Sequence, residues 1–127
     1  MQREHSLILV VNDDQSYLYL MYELLTDEQY EVILCATSAG ACLLAEQHCP
    51  DLIMLDMRME EPQSGLKILQ MLRRNPLTQH IPVLMNSADQ HLSPDQADQL
   101  QALHGQMVGH SLNLDDLLSA IRRHLAP

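Results

Sequence analysis

Between Asp51 and Asp56 stand four apolar residues in a row, Leu52-Ile53-Met54-Leu55. An uninterrupted apolar run cannot alternate between a wet and a dry face. Both faces of this segment therefore need covering, as in a central strand of a parallel sheet. The run stops at Asp56. Open α/β sheets place their ligands just outside the carboxyl ends of such strands. Taken alone, a strand-end Asp more often simply turns into solvent. Asp56 gains weight because other apolar runs in the chain end the same way.

Leu7-Ile8-Leu9-Val10-Val11 is a second continuous run, and it ends at Asn12-Asp13-Asp14. Leu18, Met21, Tyr22 and Leu25 follow at helical spacing, with Asp13 or Asp14 as the N-cap. Residues 31–36 are rich in β-formers. Ser38 then caps a helix that turns Ala41, Leu44 and Ala45 inward, and Pro50 ends it. Residues 57–65 form a polar loop. Ser64 caps a third helix with Ile68, Leu69 and Leu72 inward, closed by Asn75-Pro76. Residues 82–86 predict a fourth strand ending at Ser87. Ser93-Pro94-Asp95-Gln96 has Ser as cap, Pro at the first helical position and Gln closing a capping box. The helix it starts has a thin apolar stripe of Ala97, Leu100 and Leu103, which predicts a weakly held, movable element. Residues 106–110 carry the weakest of the five strand patterns. Asn113 caps the last helix, with Asp115 and Asp116 in its first turn, favourable to the dipole. Leu114, Leu117, Leu118, Ile121 and Leu125 form its inward stripe.

Five strands alternating with five helices through short loops imply an α/β fold: a parallel sheet covered by helices on both faces. Right-handed crossovers leave few topologies. The expected strand order is the flavodoxin-like 2-1-3-4-5, with residues 1–127 as a single domain. That order sets Asn12-Asp13 beside Asp56 at the switch point between strands one and three.

The formal charge of −10 argues against direct contact with nucleic acid or anionic lipid, since both need a basic patch. No apolar run approaches the length of a membrane span, and no signal-peptide pattern opens the chain. With no Phe and no Trp, the core falls to Leu, Ile, Val and Met. Cys35, Cys42 and Cys49 are spaced by seven. On a helix, the last two would lie roughly 10 Å apart along the axis, too far for a disulfide. They read as reduced, mostly buried thiols of a cytoplasmic protein.

Four strands thus end in polar residues at one edge: Asn12-Asp13, Asp56, Ser87 and His110. Adjacent carboxylates with a hydroxyl nearby are hard oxygen ligands, suited to Mg²⁺ and not to zinc. No Gly-rich phosphate loop follows the first strand, which disfavours a nucleotide site. Taken singly, Asp13 would cap the first helix and Ser87 would be an ordinary strand-to-loop residue. His110 would be a surface histidine, Arg58 a solvated side chain, and Met107 core.

The chain resembles the response-regulator receiver domains, the CheY-like family. The resemblance is carried by LILVVNDD, DLIMLDMRM, the SGLKIL helix start, IPVLMNSAD and LNLDDLLSAIRRHL, and it covers the chain from about Leu7 to Leu125. It implies Asp56 as the acceptor of a phosphoryl group from a histidine kinase or phosphotransfer protein. It implies Mg²⁺ held by Asp13, Asp56 and the backbone carbonyl of Arg58, with Asn12 a weaker member. Ser87 matches the hydroxyl that binds a phosphoryl oxygen. A bound metal would neutralise charge while the carboxylate attacks in line.

The departures are equally specific. The family's Lys-Pro at the end of strand five is His110-Ser111 here, and Lys67, on the third helix, is the only lysine in the chain. Met107 takes the place of the aromatic switch residue, and Asn12 removes one acid. The loop after Asp56 lacks the usual Pro after Met59 and is one residue longer before Gly65.

The resemblance therefore implies a two-component receiver, not an enzyme, that accepts a phosphoryl group on Asp56 and signals to an output protein. The alternative is a degenerate receiver that binds its partner independently of phosphorylation. A homodimer is compatible with either. A phosphatase of the haloacid dehalogenase type also uses an Asp after a strand, but it wants a second Asp two residues on, where this chain has Arg58.

Overall fold

The two continuous apolar runs are neighbours in the middle of one sheet. In the computed structural model, which describes residues 5–57, 59, 64–86, 93–108 and 114–125, β1 (Leu7–Val11) pairs in parallel with β3 (Leu52–Asp56). The other strands are β2 (Glu31–Cys35), β4 (Val83–Asn86) and β5 (Gly105–Val108), in the expected order β2-β1-β3-β4-β5. Four helices join them, α1 (Gln15–Asp27), α2 (Ser38–His48), α3 (Ser64–Arg74) and α4 (Pro94–Ala102), and α5 (Leu114–Leu125) follows β5.

Strand periodicity divides the core into two layers. Ile8, Val10, Leu52, Met54 and Leu84 point to one face, where α1 and α5 cover them with Leu18, Met21, Leu25, Leu118 and Ile121. Leu9, Val11, Ile53, Leu55, Val83 and Met85 point to the other, beneath residues of α2, α3 and α4. This two-sided burial is why the central strands carry no polar residue until they end. Among the described residues, no helix is long and apolar enough to cross a membrane.

Some local expectations hold and others change. Asp14 caps α1, accepting from the backbone amides of Ser16 and Tyr17. Thr37 caps α2, so Ser38 is its first helical residue. Ser64 likewise is already inside α3 and buried. Asp51 precedes β3; its carboxylate accepts from Leu7 N at 2.8 Å, and its own amide donates to Leu7 O. The Ser93–Gln96 capping box is present in both directions.

Tyr22, Ala97 and Leu114 are exposed where inward stripes were expected. Tyr22 stands beside the Leu18-Met21-Leu25 line instead of on it, and Leu114 opens its helix before the packed face begins. α4 keeps only Leu100 fully buried, so its packing is thinner than the pattern suggested. Of the three cysteines Cys35 is buried, Cys42 half-buried and Cys49 exposed. Cys49 ends α2 in a left-handed conformation that turns it outward, φ 46°. Asn113 lies outside the described residues.

Candidate functional site

The parallel register sets the site. β1 and β3 run level, with Val11 opposite Leu55, so Asn12 follows at the height of Asp56 and Asp13 lies just beyond. On the other flank Asp56 is directly opposite Asn86 of β4, on strands about 4.8 Å apart. Backbone hydrogen bonds continue past the strand ends on both sides: Asn12 N donates to Cys35 O of β2 at 3.0 Å, and Met57 N donates to Asn86 O of β4 at 2.8 Å. The backbone beneath the site is therefore held by hydrogen bonds to β2 on one side and β4 on the other.

The side chains differ in exposure. Asn12 is buried, Asp56 half-buried and Asp13 exposed. Asn12 Oδ1 accepts from Asp14 N at 2.9 Å. That bond shapes the turn into α1 and leaves Asn12 a poorer metal donor than the carboxylate expected from the resemblance.

Gly65 closes the far side. Its amide donates to Met57 O at 3.0 Å, and α3 begins against the backbone that follows Asp56. A Cβ at Gly65 would overlap the Asp56 carbonyl oxygen, so glycine is the residue this close approach permits.

Sequence reasoning missed two members. Asn86 Nδ2 donates to the Tyr17 hydroxyl at 2.9 Å, joining β4 to the first turn of α1. Burial pushes the Tyr17 phenol up to about 12, the Asp56 carboxylate adds to the rise, and the Asn86 hydrogen bond opposes it. Helical spacing marked Leu18 and Met21 but gave Tyr17 no role. Its partner is 69 residues away, beyond the reach of any local pattern. The available signals were that Asn86 immediately precedes Ser87 and that Tyr17 follows the acidic turn by four residues.

A phenol whose pKa is raised on folding costs stability in alkali. Above pH 10 the unfolded chain releases that proton while the folded protein retains it, so stability falls as pH climbs from about 10 toward about 12. Tyr17→Phe removes this contribution. Its denaturant midpoint is expected to decline less than that of the parent over that range, with no such difference below pH 9 (about one unit under the free phenol value).

Met107 lies on β5 opposite Met85 and packs, partly buried, against the core. Arg58, Ser87 and His110 lie outside the described residues. The metal expectation can be set against the donor chemistry. No cluster of three or more His, Cys, Asp or Glu that could hold a metal occurs among the described residues. Mg²⁺ keeps several waters and takes one or two carboxylates with neutral oxygens and substrate phosphate. Asp13 and Asp56, at neighbouring strand ends, are donors of that type.

Residues 8–122 match the response regulator receiver domain family. The transcriptional regulatory protein KdpE of Mycobacterium tuberculosis is 32% identical over 117 residues, covering 92% of this chain and 50% of the relative. This chain thus spans about half the length of that protein. The polar-differentiation response regulator DivK of Brucella ovis is 32% identical over 81 residues, 64% of this chain and 65% of the relative. The N-terminal domain of a response regulator receiver protein from Methanoculleus marisnigri superposes with a TM-score of 0.73 at 28% identity, covering 96% of this chain and 98% of that one. The Vibrio cholerae chemotaxis protein CheY4 shares the fold with a TM-score of 0.84 at 24% identity, covering 95% and 99%. With the strand order and the acidic strand ends already in place, the chain belongs to the response-regulator receiver family of two-component signalling.

Proposed function

We propose that Asp56 accepts a phosphoryl group from a histidine kinase or phosphotransfer protein in the cytoplasm, and that the modified domain acts on an output protein. The observation that carries this reading is the position of Asp56. It ends the central strand, half-buried, with Asn12-Asp13 beside it across the β1–β3 switch point. An Asp56 oxygen attacks phosphorus, a new O–P bond forms, and the bond from phosphorus to the donor breaks. The donor atom leaves with the electron pair.

Asp13, Asp56 and the Arg58 carbonyl are the residues to hold Mg²⁺, with Asn12 contributing less. When bound, the metal supplies charge neutralisation on the phosphoryl oxygens. Ser87 is the residue to bind one of those oxygens, and His110 stands in the place of the family lysine.

One observation favours the phosphorylation-independent reading. The chain's only lysine, Lys67, lines a groove between α2 and α3 with Ser38, Ala39 and Met71, so it is not at the β5 end of the sheet. Under that reading the fold alone is what the partner recognises.

Intact-mass measurement after incubation with acetyl phosphate and Mg²⁺ separates the two. One phosphoryl adduct is expected, absent in Asp56→Asn and sharply reduced in Asp13→Ala. A folded parent protein that gains no adduct with either acetyl phosphate or a phosphorylated histidine donor contradicts the proposal.

A further inference from the structure

α1 packs over β2 and β1, yet the Tyr17 hydroxyl on that helix bonds Asn86 on β4. The strand order places β3 between β1 and β4. The phenol therefore spans the end of β3, where Asp56 stands. Sheet alternation puts Asp56 and Asn86 on the same face as Met54 and Leu84, the face covered by α1 and α5. Three polar groups thus share one edge of one face: a carboxylate, an amide and a phenol.

The direction of the bond matters. Asn86 Nδ2 is the donor and the phenol oxygen the acceptor. A phenol has one proton to give as well as lone pairs to accept with. With Asn86 supplying a donor to its oxygen, the Tyr17 proton is directed at some other acceptor. Burial, with the Asp56 carboxylate adding to it, opposes ionisation of the phenol, so its proton is present near neutral pH.

We infer that Tyr17, oriented by Asn86, is a phosphoryl-binding residue of this domain: its hydroxyl donates a hydrogen bond to an oxygen of the phosphoryl group carried on Asp56. The inference rests on the reading of Asp56 as acceptor. It assigns a neutral donor, supplied from α1, to a pocket whose family lysine position on the β5 side is occupied by histidine. A phenol that donates to a charged phosphoryl oxygen makes a charge-assisted hydrogen bond, stronger than one between neutral groups.

The test uses beryllofluoride with Mg²⁺, a phosphoryl mimic that docks on a carboxylate, titrated into the parent protein, Tyr17→Phe, Asn86→Ala and the double variant. Loss of one hydrogen bond to a charged ligand is expected to weaken binding about tenfold in Tyr17→Phe. Asn86→Ala should weaken it less, and the double variant should match Tyr17→Phe, because the amide acts through the phenol. In the parent protein the Tyr17 Cζ resonance, assigned by its absence from Tyr17→Phe, should shift on binding; packing alone would not produce that. Equal affinities for the parent protein and Tyr17→Phe, or an unmoved Cζ resonance in a parent protein that binds the mimic, overturn the inference and leave the acceptor reading intact. A parent protein that binds no mimic and takes no phosphoryl group overturns both.

Discussion

Gly65→Ala is expected to destabilise the domain by about 3 kcal/mol and lower its melting temperature by roughly 10 °C. Helix propensity alone gives the opposite sign, since Ala is favoured over Gly by about 1 kcal/mol inside a helix. Packing decides the outcome. The added Cβ would overlap the Asp56 carbonyl oxygen and lie 2.7 Å from Met57 Cα and 2.9 Å from Met57 O. All three atoms are backbone, and none can rotate away. Either α3 retreats from the sheet or the chain following Asp56 moves, so formation of the phosphoryl adduct should fall together with stability. Gly105→Ala provides the contrast. Its Cβ would meet Leu100 Cδ1 at 2.5 Å and Leu69 Cδ2 at 2.9 Å, the flexible ends of side chains. Its cost should be nearer 1 kcal/mol. Calorimetric melts of the two variants check the order.

Arg73→Ala is expected to cost about 2–3 kcal/mol and to act mainly on α4 and β5. Arg73 Nε donates to Leu103 O at 2.8 Å, and Nη1 donates to Ile81 O at 2.7 Å and to Gln79 O at 3.1 Å. One guanidinium thus ties the end of α4 to the segment leading into β4. Partial burial works to lower the Arg73 pKa, but a guanidinium stays charged. This clamp compensates for the sparse apolar contacts of α4. Hydrogen exchange should show protection lost across residues 94–108 in Arg73→Ala, with β1 and β3 little changed. Arg73→Lys should recover only part of the loss, because an ammonium lacks the planar fork that reaches separated carbonyls. Uniform loss of protection over all five strands would contradict the local role.

The apolar runs at Leu7–Val11 and Leu52–Leu55 made the sheet centre legible, because only two-sided burial requires so many apolar residues without alternation. Asp13 and Asp56 were legible for the same reason: each follows a point where that requirement ends. The helix faces were less so. Leu18, Met21 and Leu25 are buried, while Tyr22, one position off their line, is exposed at 44%. Ser38 and Thr37 are both cap-forming types, and the extended backbone at Thr37, ψ 147°, with its side chain accepting from Gly40 N, distinguishes them. No local pattern paired Tyr17 with Asn86 or Arg73 with its three carbonyls. Their partners come together through crossovers and carry no periodic mark. The site therefore appeared in the sequence as a row of strand ends, and its α1 flank appeared only in three dimensions.

The central claim is that Asp56, and no other carboxylate, takes the phosphoryl group. Borohydride reduces an aspartyl phosphate to homoserine, which leaves a permanent mark at the modified position. After incubation with acetyl phosphate and Mg²⁺, reduction and peptide fragmentation should find homoserine at position 56 alone, and chelation of Mg²⁺ beforehand should remove it. Homoserine at position 13 or 51, or an unmarked Asp56 in folded protein exposed to active donors, would contradict the account.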